Sequence, residues 1–516
     1  MKFIKKIFNN LKKQSNLSLT IVLMLAIVVV LNFISYQIFA RFDLTQNKDY
    51  SISQISKKTV SDLDDLVNVK VYFSQNLPPS FRNLEQEIKD ILNEYEAYSN
   101  GDLEVDFIDP SSFEDPVNKL SQIGIKPLQF NVTRNDSYEV ARGFMGMIIQ
   151  YGDEQEVMPV VESSKNLEYK ITTAIKKLTT DKMMTVGILD SHGAVDAGNK
   201  ARNFYKSLED LYKVIPIDLK IKEDEEKKKK SNSLENIDTL VMFGPKEEFS
   251  EEELKAIDNF VMSKRPVIAL VDGVVVDPRS GVSKNKTGLN KLFSEYGLEI
   301  QNNLISDTSN AVVSMPTGLF NVSIEYALWP KITKKNFDQE NVVVSSLESL
   351  VLPWVSSINI KQDKIKEDTE VSILAKSTPD ACAQTSSFNI NPQNNSTNCQ
   401  DTKQYNLAVS LAGNISSAFS EEETEAKILV VGDSDFATDQ FYSQNSDNIT
   451  FLQNMIDSVT LDEDLISIRS QGITERPIKD LDKGSKGFIR YANIFGMTIL
   501  VLAFGLLRYY LRRKNS

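Results

Sequence analysis

Cysteine and histidine are almost missing from this 516-residue chain, which has two cysteines, Cys382 and Cys399, and one histidine, His192. A structural zinc site needs four such ligands, so these three residues cannot build one. Every Ser-His-Asp triad would have to run through His192. The phosphate and nucleophile signatures are missing too. No G-x-x-x-x-G-K-[ST] occurs, which excludes ATP hydrolysis by a P-loop. No G-x-G-x-x-G opens a helix after a strand, and there is no G-x-S-x-G elbow. Positive charge is in deficit: 58 Lys and Arg against 71 Asp and Glu give a net charge of −13. That argues against nucleic acid, which needs a basic face to neutralise phosphates.

What the chain does contain is two long apolar runs at its ends. From Asn16 to Ala40 no residue is charged. At about 1.5 Å per residue this run spans a hydrocarbon layer of roughly 30 Å. Lys2, Lys5, Lys6, Lys12 and Lys13 precede it, and basic residues hold their side in the cytoplasm. The second run, Tyr491 to Leu507, is followed by Arg508, Arg512, Arg513 and Lys514. The expectation is therefore two transmembrane helices, both termini cytoplasmic, and a large extracytoplasmic domain on the cytoplasmic (inner) membrane. The organisation read from the sequence is a tail and anchor over 1–40, an α/β domain over 41–180, a second over 181–480, and an anchor and tail over 481–516.

A chain of this length exceeds one hydrophobic core, and 41% hydrophobic residues suffice for two. In the first domain Val69–Ser74 alternates as a strand. Phe81–Tyr98 carries apolar residues at helical spacing, and Leu103–Ile108 is a second strand, making a βαβ unit. A short helix near Val117–Ile123, strands at Leu128–Arg134 and Phe144–Tyr151, a piece at Glu156–Val161 and a helix at Leu167–Leu178 follow. The order βαβ, ββ, α is that of a thioredoxin-like fold. The redox form needs Cys-x-x-Cys at the first helix, and this chain has SQNLPPSF there, which excludes thiol chemistry in this domain.

In the second domain strands alternate with helices: Met184–Asp190, helix Asn199–Leu211, Lys213–Ile217, Thr239–Phe243, a helix capped by Ser250 with Glu253, Pro266–Val271, Lys427–Val431 and helix Ile449–Val459. This alternation predicts a doubly wound parallel sheet. Lys220–Ser233 reads as a solvated loop. Residues of about 300–420 read as β-rich decoration, with strands at Asn341–Ser345 and Tyr405–Leu411. Ser377–Thr402 reads as an Asn/Ser/Thr-rich loop, and a disulfide between Cys382 and Cys399 within it is plausible.

Open α/β sheets bind ligands beyond the carboxyl ends of their strands. That singles out Asp190, Ser191, His192 and Gly193, and Asp433, Ser434 and Asp435, as candidate ligand-binding residues. Gly432-Asp433-Ser434 also suggests a hydrolase with Ser434 as nucleophile, which would need His192 beside it. Asp433 and Asp435 with Asp190 could grip a divalent cation, but carboxylates at strand ends commonly cap helices or bond loop amides. The expectation is no catalytic residue, no metal and no cofactor.

Several short motifs match a known family in order. They are Arg41-Phe42-Asp43-Leu44-Thr45, Tyr50-Ser51-Ile52-Ser53, Phe107-Ile108-Asp109-Pro110, Ile188-Leu189-Asp190-Ser191-His192-Gly193-Ala194, and Val430-Val431-Gly432-Asp433-Ser434-Asp435-Phe436. Asp464-Leu465-Ile466-Ser467-Ile468-Arg469 and Arg476-Pro477 follow. Together they resemble the GldG-like auxiliary proteins of ABC transporters, which include gliding-motility-associated members. The family usually shows Gly-His-Gly-Glu where this chain has Ser191 and Ala194 at the flanks. The resemblance implies a non-enzymatic accessory subunit working with an ABC-2 type permease and a cytoplasmic ATPase. It also implies that the second domain is similar to a glutamine-amidotransferase-like fold without its catalytic residues.

Overall fold

The computed structural model describes residues 51–460 except 76, 79–80, 135–136, 165–166, 181–182, 210, 221–233, 278–280, 318–319, 393–400 and 443–446, together with Met24, Ala26, Ile27, Arg490, Phe495, Gly496 and Gly505. Among the described residues no helix is long and apolar enough to cross a membrane. The two expected spans, the cytoplasmic tails and the motifs at 41–45, 464–469 and 476–477 lie outside the described residues, apart from those few positions. Met1–Ile473 forms one compact unit and Thr474–Ser516 another. The expected boundary at 180/181 falls inside the first.

The N-terminal part begins with α1 (Gln54–Ser61), capped by the Ser53 hydroxyl. Strand β1 (Val67–Phe73), helix α2 (Arg82–Tyr98) and strand β2 (Leu103–Ile108) form the βαβ unit. A short helix α3 (Pro116–Gln122) leads to β3 (Leu128–Arg134), β4 (Ser137–Gly143), β5 (Met145–Tyr151) and β6 (Glu154–Met158), and α4 (Leu167–Thr179) ends the part. The sheet order is β2-β1-β5-β6, with β2 parallel to β1 and the other pairs antiparallel. β3 and β4 pair separately as a hairpin, and β4 was not expected from the sequence. The pleat sends Val67, Val69 and Val71 to one face, where Ile88, Leu92 and Tyr95 of α2 and Ile171 and Ile175 of α4 bury them. Tyr72 and Ile148 point to the other face and meet Leu120 and Ile125.

The second part is built on a seven-stranded sheet. Its strands are β7 (Thr185–Leu189), β8 (Lys213–Ile217), β9 (Thr239–Phe243), β10 (Val267–Leu270), β11 (Glu370–Lys376), β12 (Asn406–Ser416) and β13 (Glu423–Val431), in the order β11-β12-β13-β10-β9-β7-β8. The five strands from β13 to β8 are parallel, and β12 and β11 extend one edge antiparallel. β9 and β10 are buried at every position, as parallel strands covered on both faces must be. β13 shows both regimes along its length. Glu423–Lys427, paired with β12 alone, alternates exposed with buried, whereas Ile428–Val431, inserted between β12 and β10, is wholly buried.

Helices α5 (Ala197–Lys200), α6 (Arg202–Glu209), α7 (Glu251–Met262) and α8 (Asp447–Thr460) cover this sheet. The single helix expected over Asn199–Leu211 is broken at Ala201. The Asp439 carboxylate accepts from the amides of Arg202 and Asn203, both at 3.0 Å, and so caps a new helix start from 236 residues away or more. The strand expected at Asn341–Ser345 is instead a series of turns. The Asn341 side chain accepts from the Val343 amide at 3.0 Å, and its carbonyl accepts from Ser345 at 2.9 Å. Local bonding of this kind competes with a ladder, while Val343 and Val344 remain in the core. The stretch expected as a loop from Ser377 contains a short strand, Cys382–Gln384, paired with Leu304–Ser306. The decoration also includes a long hairpin of Asn310–Thr317 with Phe320–Thr333.

The two parts meet at a cleft of about 600 Å³. It is lined by Ile55 and Lys58 of α1, by the end of α4, and by Val459 and Thr460 of α8. Beside it Asp457 of α8 accepts from the Tyr212 hydroxyl at 2.6 Å and from the Tyr169 hydroxyl of α4 at 3.4 Å.

Candidate functional site

The carboxyl ends of β7, β9, β10 and β13 bring four loops together. The loop after β7 holds Asp190, Ser191, His192 and Gly193. Asp190 is exposed. His192 is only 2% exposed, has φ of +58° and stacks on Phe249 with ring centroids 3.9 Å apart. Its Nε2 lies 3.2 Å from Glu253 Oε2, and its Nδ1 lies 2.9 Å from Ser191 Oγ. A carboxylate can only accept, so Nε2 carries the proton and Nδ1 accepts from the Ser191 hydroxyl. Ser191 Oγ in turn accepts from the Leu219 amide at 3.1 Å. The His192 carbonyl accepts from the amides of Lys246 and Glu247 at 2.8 and 2.9 Å, which ties the β7 loop to the β9 loop.

Glu253 completes this set. It closes a capping box with Ser250 at the start of α7, taking the Ser250 amide on Oε2 at 2.7 Å. Burial pushes its carboxyl up, but hydrogen bonds from Ser250 and His192 outweigh burial and hold it below the usual range. Ser191, His192 and Glu253 thus make a chain of bonds with the outline of a triad, but the serine and the histidine are buried and their polar atoms are taken.

The loop after β13 holds Gly432, Asp433, Ser434, Asp435 and Phe436. The strand expectation for Lys427–Val431 is right in place, and β13 extends it back to Glu423. Ser434 lies 1% exposed and donates its hydroxyl to Asp272 Oδ2 at 2.7 Å, while its amide donates to Asp272 Oδ1 at 2.7 Å. The hydroxyl is therefore turned to a carboxylate, and the Ser434–His192 pair that a hydrolase needs is not assembled. A Cβ on Gly244, whose φ is +60°, would stand 2.5 Å from Ser434 Oγ, so this β9 loop position accepts only glycine.

Asp433 is completely buried. Its Oδ1 accepts from the Asp435 amide at 2.7 Å, and its Oδ2 has no hydrogen-bond partner. One oxygen each from Asp272, Asp433 and Asp435 lies within 4.8 Å of the other two. Burial pushes Asp435 up to about 7, with Asp272 adding to the rise and Lys246 and Lys200 opposing it. Burial, then the charges of Asp435 and Asp272, hold Asp433 well above the ordinary carboxylate range. Asp272 is raised by burial against the hydrogen bonds of Ser434.

The third carboxylate of this cluster is Asp272, after β10, and not Asp190 as the sequence suggested; Asp190 stands exposed after β7. The signal for Asp272 was present, since β10 and β13 both run from apolar residues into an aspartate, as Val-Asp-Gly and Gly-Asp-Ser. Glu253 and Gly244 were likewise not read as parts of the site. Away from it, Cys382 is disulfide-bonded; the chain's other cysteine, Cys399, lies outside the described residues.

Comparison with known proteins gives a family. Residues 184–455, more than half of the chain, match the family described as an ABC-type uncharacterized transport system. Residues 46–150 match a domain of unknown function, DUF7088. A protein of Borreliella burgdorferi, described as uncharacterized, is 24% identical over 526 residues, covering 98% of this chain and 99% of that one. Among solved structures, the mmIFT52 N-terminal domain is similar at a TM-score of 0.34 and 13% identity, covering 54% of this chain and 97% of that one. The exo-β-1,4-mannosidase Op5Man5 from Opitutaceae bacterium strain TAV5 gives 0.24 and 9%, with 76% and 52% covered. Likenesses at these TM-scores carry no argument. The family match spans β7 through most of α8, and with it both candidate loops: the chain belongs to the auxiliary family of ABC-type transport systems.

Proposed function

We propose that this chain is a non-catalytic, membrane-anchored auxiliary subunit of an ABC-2 type transporter, working beside a permease and a cytoplasmic ATPase. In this reading the terminal apolar segments dock on the permease. The two α/β parts face outward and bind an exported substrate or an envelope partner. The observation that carries the reading is the family match over residues 184–455. The uncharged run from Asn16 to Ala40, the run from Tyr491 to Leu507 and the basic residues beside them support the anchors. The missing P-loop fits a subunit whose motor is another chain.

The site supports the non-catalytic half of the reading. Ser434 is bonded to Asp272, and His192 is bonded to Ser191 and Glu253. The serine that does face His192 is Ser191, which is buried with its hydroxyl also taken by the Leu219 amide. The order β2-β1-β5-β6, with one parallel and two antiparallel pairs, supports a thioredoxin-like reading of the N-terminal part. The mostly parallel sheet of the second part is compatible with an amidotransferase-like scaffold without its nucleophile.

The test is a pull-down of tagged full-length chain from native membranes in mild detergent, with partners identified by mass. Recovery of an ATPase and a multispanning permease is the expected result. Recovery of the chain alone, or with unrelated envelope proteins, would overturn the transporter reading.

A further inference from the structure

Three carboxylates share one small volume at the ends of β10 and β13, and the buried Asp433 Oδ2 is left without a hydrogen bond. Asp272 is fixed in orientation, because Ser434 donates to both of its oxygens. Asp433 is fixed through Oδ1 by the Asp435 amide. Its Oδ2 is buried with no hydrogen-bond partner. A buried acceptor without a donor is costly, and a buried anion without a counter-charge more so. Asp435 is less buried than the other two.

We propose that Asp272, Asp433 and Asp435 hold a single hard divalent cation of the Mg²⁺, Mn²⁺ and Ca²⁺ class, with Asp433 Oδ2 as a ligand. The donor set is all oxygen and anionic, which suits these cations and not zinc–thiolate or copper chemistry. Oxygens bound to one such cation at about 2.1–2.6 Å stand roughly 3–5 Å from one another. The spacing within 4.8 Å falls in that range. Two of the three carboxylates are already oriented by amide and hydroxyl donors, so little rearrangement is needed on binding. Water supplies the remaining positions. Elevated proton affinities across the cluster agree with a shortage of positive charge. The bound ion joins the β10 and β13 loops and leaves Ser434 as the bracket that positions Asp272. This inference does not rest on the transporter reading and stands or falls separately from it.

The experiment uses the full chain in detergent, stripped with EDTA, exchanged into metal-free buffer and titrated with Mn²⁺. The free Mn²⁺ signal is followed by electron paramagnetic resonance. One equivalent should be bound, and Mg²⁺ or Ca²⁺ should displace it. Asp433→Asn should weaken binding on the order of 10- to 100-fold or more, while Asp190→Asn, at an exposed position outside the cluster, should leave it unchanged. An undiminished free signal in wild-type protein would overturn the proposal whatever the variants do. Equal binding by wild type and Asp433→Asn would overturn it too, by locating the ion on surface carboxylates.

Discussion

The loops after β7 and β13 lie on one sheet, a few strands apart, and each carries short polar residues past an apolar strand. In the β7 loop the polar atoms match. Ser191 gives to His192, His192 gives to Glu253, and Glu253 takes the Ser250 amide. In the β13 loop they do not match. Three acids draw on the amides of Ser434, Asp435 and Phe436 and one hydroxyl, and Asp433 Oδ2 is left without a hydrogen bond. A residue list makes the first loop look more reactive, because it contains the histidine. The bonding makes it the finished one. What distinguishes a ligand site from a structural knot is the balance of donors and acceptors after folding, not the identity of the residues.

The largest effect should come from crowding the acidic loop from behind. A Cβ at Gly432 would stand 1.9 Å from the Ser356 carbonyl oxygen, a backbone atom that cannot turn away. Gly432→Ala should cost about 3 kcal/mol or more, read as a lower urea midpoint. Next comes His192→Ala, which removes a partner of both Ser191 and Glu253 together with the stack on Phe249. It should cost about 2–3 kcal/mol in the same assay. Asp433→Asn should carry the opposite sign in the presence of EDTA and raise stability by about 1 kcal/mol, because it removes a charge from a buried like-charged cluster. If Asp433→Asn destabilised as His192→Ala does, the contrast between the loops would fail.

The smallest effect is the pH dependence of the β7 loop. The folded-state pKa of Glu253 is depressed below its ordinary 4.5. Its contribution to stability is present above 4.5 and is lost as pH falls through the folded value. Wild type and Glu253→Gln should therefore differ in melting temperature at neutral pH and converge under acid. A gap that widened on acidification would mean that the His192–Glu253 bond is not what holds this loop.

Much of the scaffold was legible because local pattern and final environment agreed. Leu103–Ile108, Lys213–Ile217 and Thr239–Phe243 are strands with the bounds expected from their apolar runs. The Ser250–Glu253 capping box formed as its spacing required. What failed depended on partners far along the chain. Nothing between Asn199 and Leu211 announces that Asp439 will cap a second helix there. Asn341 to Ser345 read as strand, but the Asn341 side chain took the Val343 amide first. The site divided in the same way. Asp433, Ser434 and Asp435 are contiguous and were visible as a motif, whereas Asp272 joins them only because β10 and β13 are neighbours in the sheet, 162 residues from Ser434 in sequence.

The cleft between the two α/β parts has a topological consequence. Helix α1, just after residue 51, and Thr460, the last residue of α8, line the same cleft. The chain therefore enters and leaves its main described stretch at this one seam. Across that seam the Tyr169 hydroxyl of α4 donates to Asp457 of α8 at 3.4 Å, and Tyr212, from the same part as Asp457, donates to that carboxylate at 2.6 Å. A change that opens this seam therefore acts on both ends of the described fold at once.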